Sequence, residues 1–412
     1  MPFNIDFARR QFSIFQAPEM ANWAFFENAG GAYAPRQVVD RLTHFFNYTK
    51  VQPYGPFPAS IAAGDAMDAG YRAMAGFLNA GVDEVTLGPS TTMNCYMLAQ
   101  AIRPLLKSGD EIIVTNQDHE ANIGCWRRLS EFGAIIREWQ IDTASGELNI
   151  ADLEKLVNAR TRLVCFTLCS NIVGSMNDVS AICKLVHNVG ALTIGDGVSF
   201  APHRLLDVRK SGLDIYLFSA YKTFGTHVGV MWVRPAVMAE LRPQGHYFNN
   251  DKPHYRFNPT GPMHAEIAAL AGITEYIDTL HNHHFGETAA DFHDKARQVF
   301  DLLTVHETRL ANRLLDVLRK MPEVRIIGRP RAEIDRRAST ISFVHHSIPS
   351  GEITRRLATC RIAARHGHFY ALRCLEALGI QDPETSGVVR ISLVHYNTDD
   401  EVTRLIDCLQ SL

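Results

Sequence analysis

One lysine in an apolar stretch is the side chain of this sequence that is best suited to chemical reaction. Lys222 lies among small, hydroxyl-bearing and apolar residues at 218–230, directly after a predicted buried strand at 213–217. Burial disfavours the ammonium form of lysine, and the neutral amine can form a Schiff base with an aldehyde. The alternative is an ordinary surface lysine at a turn, and this stretch alone does not choose between the two.

Polar side chains follow each of the preceding predicted strands. They are Thr91 and Thr92 after the strand at 84–88, His119 after 111–115, Asn171 after 162–168, and Asp196 at the end of the strand that starts at 191. Because the carboxyl ends of parallel strands meet at one edge of a doubly wound sheet, these groups and Lys222 are expected to form one site.

This combination fits the chemistry of pyridoxal phosphate (PLP). Asp196 would keep the pyridine nitrogen protonated, His119 would stack on the ring and Lys222 would hold the aldehyde. Thr91 and Thr92 open a predicted helix, whose N-terminus favours a phosphate, although ordinary helix capping explains these hydroxyls equally well. The sequence therefore predicts PLP as the cofactor.

Composition narrows the class of protein. The 412 residues are 46% hydrophobic and 21% charged with a net charge of −3, which is ordinary for a globular protein of two domains. There is no basic cluster for nucleic acid and no apolar run long enough for a membrane span, so we expect a cytoplasmic protein. The eight cysteines form no CxxC pair and are predicted to be reduced core residues. The histidine clusters lack the spacing of a metal site, so no metal is expected.

The order of the predicted elements indicates an α/β protein with a mainly parallel, doubly wound sheet. We expect an N-terminal arm at 1–30 and a large PLP-binding domain at 31–285. A linking helix and a smaller α+β domain follow at 286–412, with an Arg-His-Gly-His loop at 365–368.

Over almost its whole length the sequence resembles class V aminotransferases of the cysteine desulfurase type, which have the type I fold of PLP-dependent transferases. The resemblance rests on six motifs. They are Glu-Asn-Ala-Gly-Gly at 27–31, Asp-His-Glu-Ala-Asn at 118–122, Asp-Gly at 196–197, Ala-Pro-His at 201–203, Gly-His-Phe-Tyr-Ala at 367–371, and the segment 388–398 around Arg390. It implies a homodimer with active sites at the interface.

The resemblance also implies a role for each candidate site residue. The catalytic residues would be Lys222, His119, Asp196 and Tyr370. The cofactor would be bound by Thr91, Thr92, His119, Asn171, Asp196, Ser199, Ser219, Tyr221, Lys222 and Thr260. The substrate would be bound by Asn28, Ala29, Gly30, Arg365 and Arg390, with Arg390 gripping the α-carboxylate.

The sequence departs from the family pattern at four positions. Ser199 replaces a glutamine, Tyr221 replaces a histidine, and Thr260 is displaced by one position from the residue that reaches the neighbouring subunit's phosphate. Tyr370 stands where one branch of the desulfurases has its nucleophilic cysteine. A phenol cannot carry a persulfide, so we expect none to form on this chain.

These residues predict an enzyme in which an amino acid replaces Lys222 in the Schiff base with PLP, and the freed Lys222 removes the α-proton. Aminotransferase-like or β-elimination chemistry is the main hypothesis. Cysteine desulfurase or selenocysteine lyase activity, and epimerisation, stay open. A non-catalytic PLP-binding regulatory module is the alternative of another class, and the presence of Arg390 argues against it.

Overall fold

Strands of hydrophobic residues alternate with helices over most of the computed structural model, which describes residues 2–20 and 22–412. The strands of the described residues are β1 (Ala24–Phe25), β2 (Val85–Gly88), β3 (Glu111–Thr115), β4 (Ile135–Trp139), β5 (Thr161–Thr167), β6 (Leu192–Asp196), β7 (Ile215–Ser219), β8 (Gly229–Val233), β9 (Val324–Ile327), β10 (Thr340–His345), β11 (Ile362–Ala363), β12 (Arg365–Gly367) and β13 (Val388–Ser392).

The α-helices of the same residues connect these strands and flank them. They are α1 (Ile5–Arg9), α2 (Arg36–His44), α3 (Pro58–Leu78), α4 (Thr91–Ile102), α5 (Gly124–Arg127), α6 (Ile150–Leu156), α7 (Val179–His187), α8 (Val208–Ser211), α9 (Pro235–Glu240), α10 (His264–Ala269), α11 (Ala271–Phe285), α12 (Phe292–Leu318), α13 (Ser350–Thr359), α14 (Leu372–Ala377) and α15 (Asp399–Gln410). None of them is long and apolar enough to cross a membrane.

The larger sheet has seven strands in the order β2-β8-β7-β6-β5-β3-β4. The strands β3 to β7 run parallel, and β8 runs antiparallel to its neighbours β2 and β7. Adjacent residues of β5 pack in different hydrophobic clusters: Val164 lies in one cluster and Cys165 in the other. Since side chains alternate across a strand, the sheet is covered on both faces. The predicted mainly parallel, doubly wound α/β fold is confirmed.

The smaller sheet has four antiparallel strands in the order β12-β13-β10-β9, and the helices α12, α13 and α15 pack near it. The prediction of a loop at 365–368 is wrong, because Arg365–Gly367 forms β12 and pairs with β13. An edge strand has one neighbour and tolerates charged residues, so it lacks the apolar alternation by which strands are recognised.

The N-terminal arm is tied to the smaller sheet. The strand β1 pairs with β11, and Ser392 of β13 donates its backbone N–H to Phe26 O at 2.8 Å. The Asn28 amide donates to Ser392 O at 2.7 Å, and Ala29 N donates to Ser392 Oγ at 2.8 Å. The arm therefore reaches the strand that carries Arg390. The domain limits at residues 30 and 285 stay a prediction.

Two cysteines correct the prediction that all eight are reduced core residues. Cys360, at the end of α13, forms a disulfide with Cys408 of α15 across a sequence separation of 48 residues. The other cysteines, at positions 95, 125, 165, 169, 183 and 374, are buried thiols. Two cysteines so far apart carry no spacing pattern, so their pairing depends on how α13 and α15 pack.

Two glycines of α3 provide a test of the packing that supports the larger sheet. A Cβ at Gly70 would lie 2.0 Å from Ile267 O of α10, whereas a Cβ at Gly76 would meet only Phe292 Cδ1 at an ordinary 3.5 Å. We expect Gly70→Ala to lower the free energy of unfolding by about 1–3 kcal/mol, because the two helices must separate. Gly76→Ala should leave it unchanged or raise it by up to about 1 kcal/mol, because alanine favours helix. Denaturant unfolding of both variants checks this, and equal effects would contradict it.

Candidate active site

Lys222 lies in a short helical turn directly after β7, and 7% of its surface is exposed. Burial and the positive charge of Arg390 lower the pKa of Lys222 to about 8, against the opposing charges of Asp196 and Glu27. The amine has no hydrogen bond and no ion pair among the described residues. Near neutral pH a larger fraction of Lys222 is therefore neutral than of an ordinary lysine, and the neutral amine can attack an aldehyde.

Asp196 ends β6, the neighbour of β7 in the sheet. Only 4% of it is exposed, and its Oδ1 accepts a hydrogen bond from Val198 N at 2.8 Å. Burial raises the pKa of Asp196 to about 6, although the Val198 N–H and the charge of Lys222 act in the opposite direction. Parallel pairing of β6 and β7 thus brings a carboxylate and an amine to the same edge of the sheet.

His119 is a neutral imidazole at this edge. Burial, with the charges of Lys222 and Arg390, lowers its pKa to about 3. Its Nδ1 accepts a hydrogen bond from Ala121 N at 3.0 Å, so the proton of the neutral ring is on Nε2. The ring centroid lies 5.2 Å from that of Tyr370.

The adjacent Asp118, to which sequence analysis assigned no role, supports the turn that carries His119. It is 1% exposed and accepts hydrogen bonds from the Thr115 hydroxyl and, at 2.7 Å, from Asn122 Nδ2. Burial raises the pKa of Asp118 to about 8. In the sequence, the signal that could have indicated this supporting role was a carboxyl group directly before the predicted stacking histidine.

Hydroxyl groups gather where α4 begins. Thr91 Oγ1 and Ser219 Oγ are 2.8 Å apart, and the Tyr221 ring stacks on His227 with centroids 4.7 Å apart. Burial raises the pKa of Tyr221, and the neighbouring Ser219 moderates the shift, so this phenol stays protonated at neutral pH. The N-terminus of α4 and these hydroxyl groups together favour the binding of an anion.

Three other predicted cofactor ligands differ in exposure. Ser199 is 8% exposed, whereas Thr92 and Thr260 are both exposed to solvent.

Arg390 of β13 reaches this edge from the smaller sheet. Its Nη1 donates to Asn171 O at 3.3 Å and its Nη2 to Glu27 Oε1 at 3.1 Å. The ring of Phe369 covers the guanidinium, with its centroid 3.7 Å from Cζ. Burial lowers the pKa of Arg390 to about 10, and Glu27 opposes this shift. Asn171 also donates its side-chain Nδ2 to Phe369 O at 3.0 Å.

The other predicted substrate-binding residues are only partly free for a ligand. Asn28 uses its amide on Ser392 O and Asn397 Oδ1, and Ala29 donates its N–H to Ser392. Gly30 lies against the Glu27 carboxylate, where a Cβ would come within 2.3 Å of Oε1. Arg365 is the cross-strand partner of Arg390 and is exposed.

Tyr370 is 68% exposed, and its backbone is held by the short helical turn at Glu120–Asn122 that follows β3. Its carbonyl accepts a hydrogen bond from Glu120 N at 2.7 Å, and its φ of 61° lies in the left-handed region. The structure therefore fixes this residue beside His119.

Two further residues that contact Arg390 had no assigned role in the sequence analysis. Glu27 pairs with it and Phe369 covers it. The available signals were an acidic residue before a stretch of small residues and an aromatic side chain between His368 and Tyr370.

Comparison with known proteins identifies the family. Residues 24–405 match the family model described as aminotransferase class-V. An aminotransferase-like protein of Gibberella zeae is 34% identical over 99% of this chain and 98% of its own length. A cysteine desulfurase-like protein of Aspergillus flavus is 30% identical over 92% of this chain and 84% of its own. An apo cysteine desulfurase from Thermococcus onnurineus shares the fold, with a TM-score of 0.86 at 22% identity over 100% of this chain and 98% of that one. The chain therefore belongs to the class V aminotransferases, which are PLP-dependent enzymes.

Proposed function

We propose that this enzyme removes the α-proton of an amino acid with Lys222 as the base, and completes the reaction by β-elimination or transamination without a cysteine nucleophile. The observation that carries this proposal is the buried Lys222, whose pKa is lowered to about 8 by burial and by Arg390 while Asp196 and Glu27 oppose the shift. A base is most effective when its pKa lies near the working pH.

The donor groups of the site fit PLP. Thr91 and Ser219, 2.8 Å apart at the start of α4, would hold the phosphate with Tyr221. Asp196 would face the pyridine nitrogen and Lys222 would hold the aldehyde. When bound, PLP supplies a ring that accepts electron density from the α-carbon. Asp196 would stabilise a proton on the ring nitrogen, because a buried carboxylate favours a positive charge on its neighbour.

His119 and Arg390 would orient the reactants. The neutral imidazole of His119 offers a flat face to the cofactor ring and adds no positive charge to the site. Arg390 would bind the α-carboxylate, which aligns the α-proton with Lys222. Binding of the substrate carboxylate by Arg390 would also argue against a purely regulatory role in which the protein only binds PLP.

The cysteines support a reaction that forms no persulfide. Cys374 is fully buried, and burial raises its pKa to about 12, so it offers no reactive thiolate. Cys360 is engaged in the disulfide with Cys408. Tyr370, which by the sequence resemblance replaces the nucleophilic cysteine of one desulfurase branch, would instead shape the pocket or donate a proton to a leaving group.

We also propose a homodimer with active sites at the interface. Several aromatic side chains within the predicted large domain are exposed to solvent. The exposed fraction is 70% for Tyr48, 85% for Tyr247 and 65% for Phe248. Burial of such groups favours association. Thr260 is also exposed, 12 residues after Phe248, and its contact with the phosphate bound in the neighbouring subunit stays a prediction. The cytoplasmic location of the protein stays a prediction as well.

The first prediction that follows from the proposed function concerns attachment of the cofactor. Borohydride should fix PLP on the Lys222 peptide, and the rate of attachment to apoenzyme should rise with pH through about 8, because only the neutral amine attacks and burial lowers its pKa. Stopped-flow absorbance and peptide mapping measure both. Lys222→Ala should give no adduct, and the exposed Lys184→Ala should behave as the wild type. A midpoint near 10.5, the ordinary value for lysine, would contradict the lowered pKa.

The second prediction concerns Asp196. Asp196→Asn should bind PLP but lose activity by about 100-fold, because a neutral amide does not stabilise a proton on the pyridine nitrogen. Steady-state kinetics and the absorbance of the bound cofactor check this. The exposed Asp407→Asn is the matched control. Turnover near that of the wild type in Asp196→Asn would show that this carboxylate has no electronic role.

The third prediction separates elimination from desulfuration. With L-cysteine, the holoenzyme should release sulfide and pyruvate in equal amounts, and mass spectrometry should find no persulfide on Cys360 or Cys374. Cys374→Ala should keep the wild-type rate, because its buried thiol takes no part. Stoichiometric alanine together with a protein persulfide would establish the desulfurase alternative instead.

A further inference from the structure

Arg390 already faces one carboxylate in this structure. Glu27 Oε1 accepts the hydrogen bond from Arg390 Nη2 at 3.1 Å, and only 9% of Glu27 and 2% of Arg390 are exposed. The second oxygen, Glu27 Oε2, is buried and has no hydrogen-bond partner within residues 2–20 and 22–412. A buried charged oxygen without a donor costs free energy, so a ligand that donates to it is favoured.

The backbone holds Glu27 in this place. Glu27 forms an isolated parallel bridge with Ser392, two residues beyond Arg390 on β13. The following residue, Asn28, is anchored on the Ser392 carbonyl at 2.7 Å. Gly30 leaves the space that the carboxylate occupies, since a Cβ there would lie 2.3 Å from Oε1. The contact between Glu27 and Arg390 is thus fixed by the arm and the strand together.

Glu27 belongs to the same electrostatic environment as the proposed catalytic lysine, because its charge is one of those that raise the pKa of Lys222 against burial. The donors of Arg390 are also partly engaged: Nη1 donates to Asn171 O at 3.3 Å and Nη2 to Glu27. A substrate carboxylate that binds Arg390 must therefore share it with Glu27 and lie close to a second negative charge.

We propose that Glu27 is a specificity-determining residue beside Arg390. Its free Oε2 accepts a hydrogen bond from a donor group on the substrate's side chain, and its charge disfavours an acidic side chain. The substrates are then amino acids with a hydroxyl, amide or ammonium group on the side chain. This inference rests on the proposed function, in which an amino acid binds with its α-carboxylate on Arg390.

L-Asparagine and L-aspartate test this directly, because they have almost the same shape and differ in donor and charge. Rapid-mixing titration of the holoenzyme, followed by cofactor absorbance, gives a dissociation constant for each. We expect the wild type to bind asparagine about tenfold more tightly, a difference of about 1.4 kcal/mol, because asparagine donates a hydrogen bond to the charged carboxylate and aspartate does not. In Glu27→Gln the ratio should fall close to one, mainly because aspartate binds more tightly. Glu131→Gln, at an exposed position, should keep the wild-type ratio.

The outcomes separate the inference from the function on which it rests. A wild type that responds to amino acids but binds aspartate as tightly as asparagine overturns the role of Glu27 alone, as does an unchanged ratio in Glu27→Gln. A holoenzyme whose spectrum responds to no amino acid overturns the proposed function. If Glu27→Gln does not fold, Glu27→Asp takes its place: the shorter side chain moves the carboxylate away from the substrate, and the ratio should again fall.

Discussion

The hydrogen bonds that dock the smaller sheet onto the edge of the larger one create the site. Asn171, after β5, accepts from Arg390 through its carbonyl and donates to Phe369 O through its amide. Glu120 N donates to Tyr370 O at 2.7 Å. Lys222 follows a strand of the larger sheet and Arg390 lies on a strand of the smaller one, so these contacts bring the two residues to one site. The chemistry of the site therefore depends on tertiary docking as much as on the strands that carry each residue.

Docking also removes the site from water, and this sets its electrostatics. Burial lowers the pKa of Lys222 to about 8 and raises that of Asp196 to about 6. Desolvation disfavours the charged form of each group, so it moves the pKa values of the lysine and the carboxylate towards each other. Arg390 keeps its charge although it is buried, because it is paired with the buried Glu27.

Much of the larger sheet could be predicted from sequence, because its buried strands are continuous apolar runs and its polar residues follow them directly. Asp196 and Lys222 are examples: each comes at the end of such a run. The edge strand β12 could not be recognised, since Arg365 and its neighbours show no apolar alternation. The disulfide of Cys360 and the contact of Glu27 with Arg390 were also missed. Both join residues far apart in the chain, and local patterns carry no information on such pairs.

The arm has a consequence for how the protein is made. Glu27 and Arg390 are separated by 363 residues, so at roughly 5–20 residues per second a ribosome synthesises the arm about 20–70 s before its partner strand. During that interval Phe26, fully buried in the finished protein, has no strand β13 to pair with. The larger sheet can form meanwhile from strands that are close in sequence. Closure of the active site is thus a late folding event, and the apolar residues of the arm are open to chaperones during that interval.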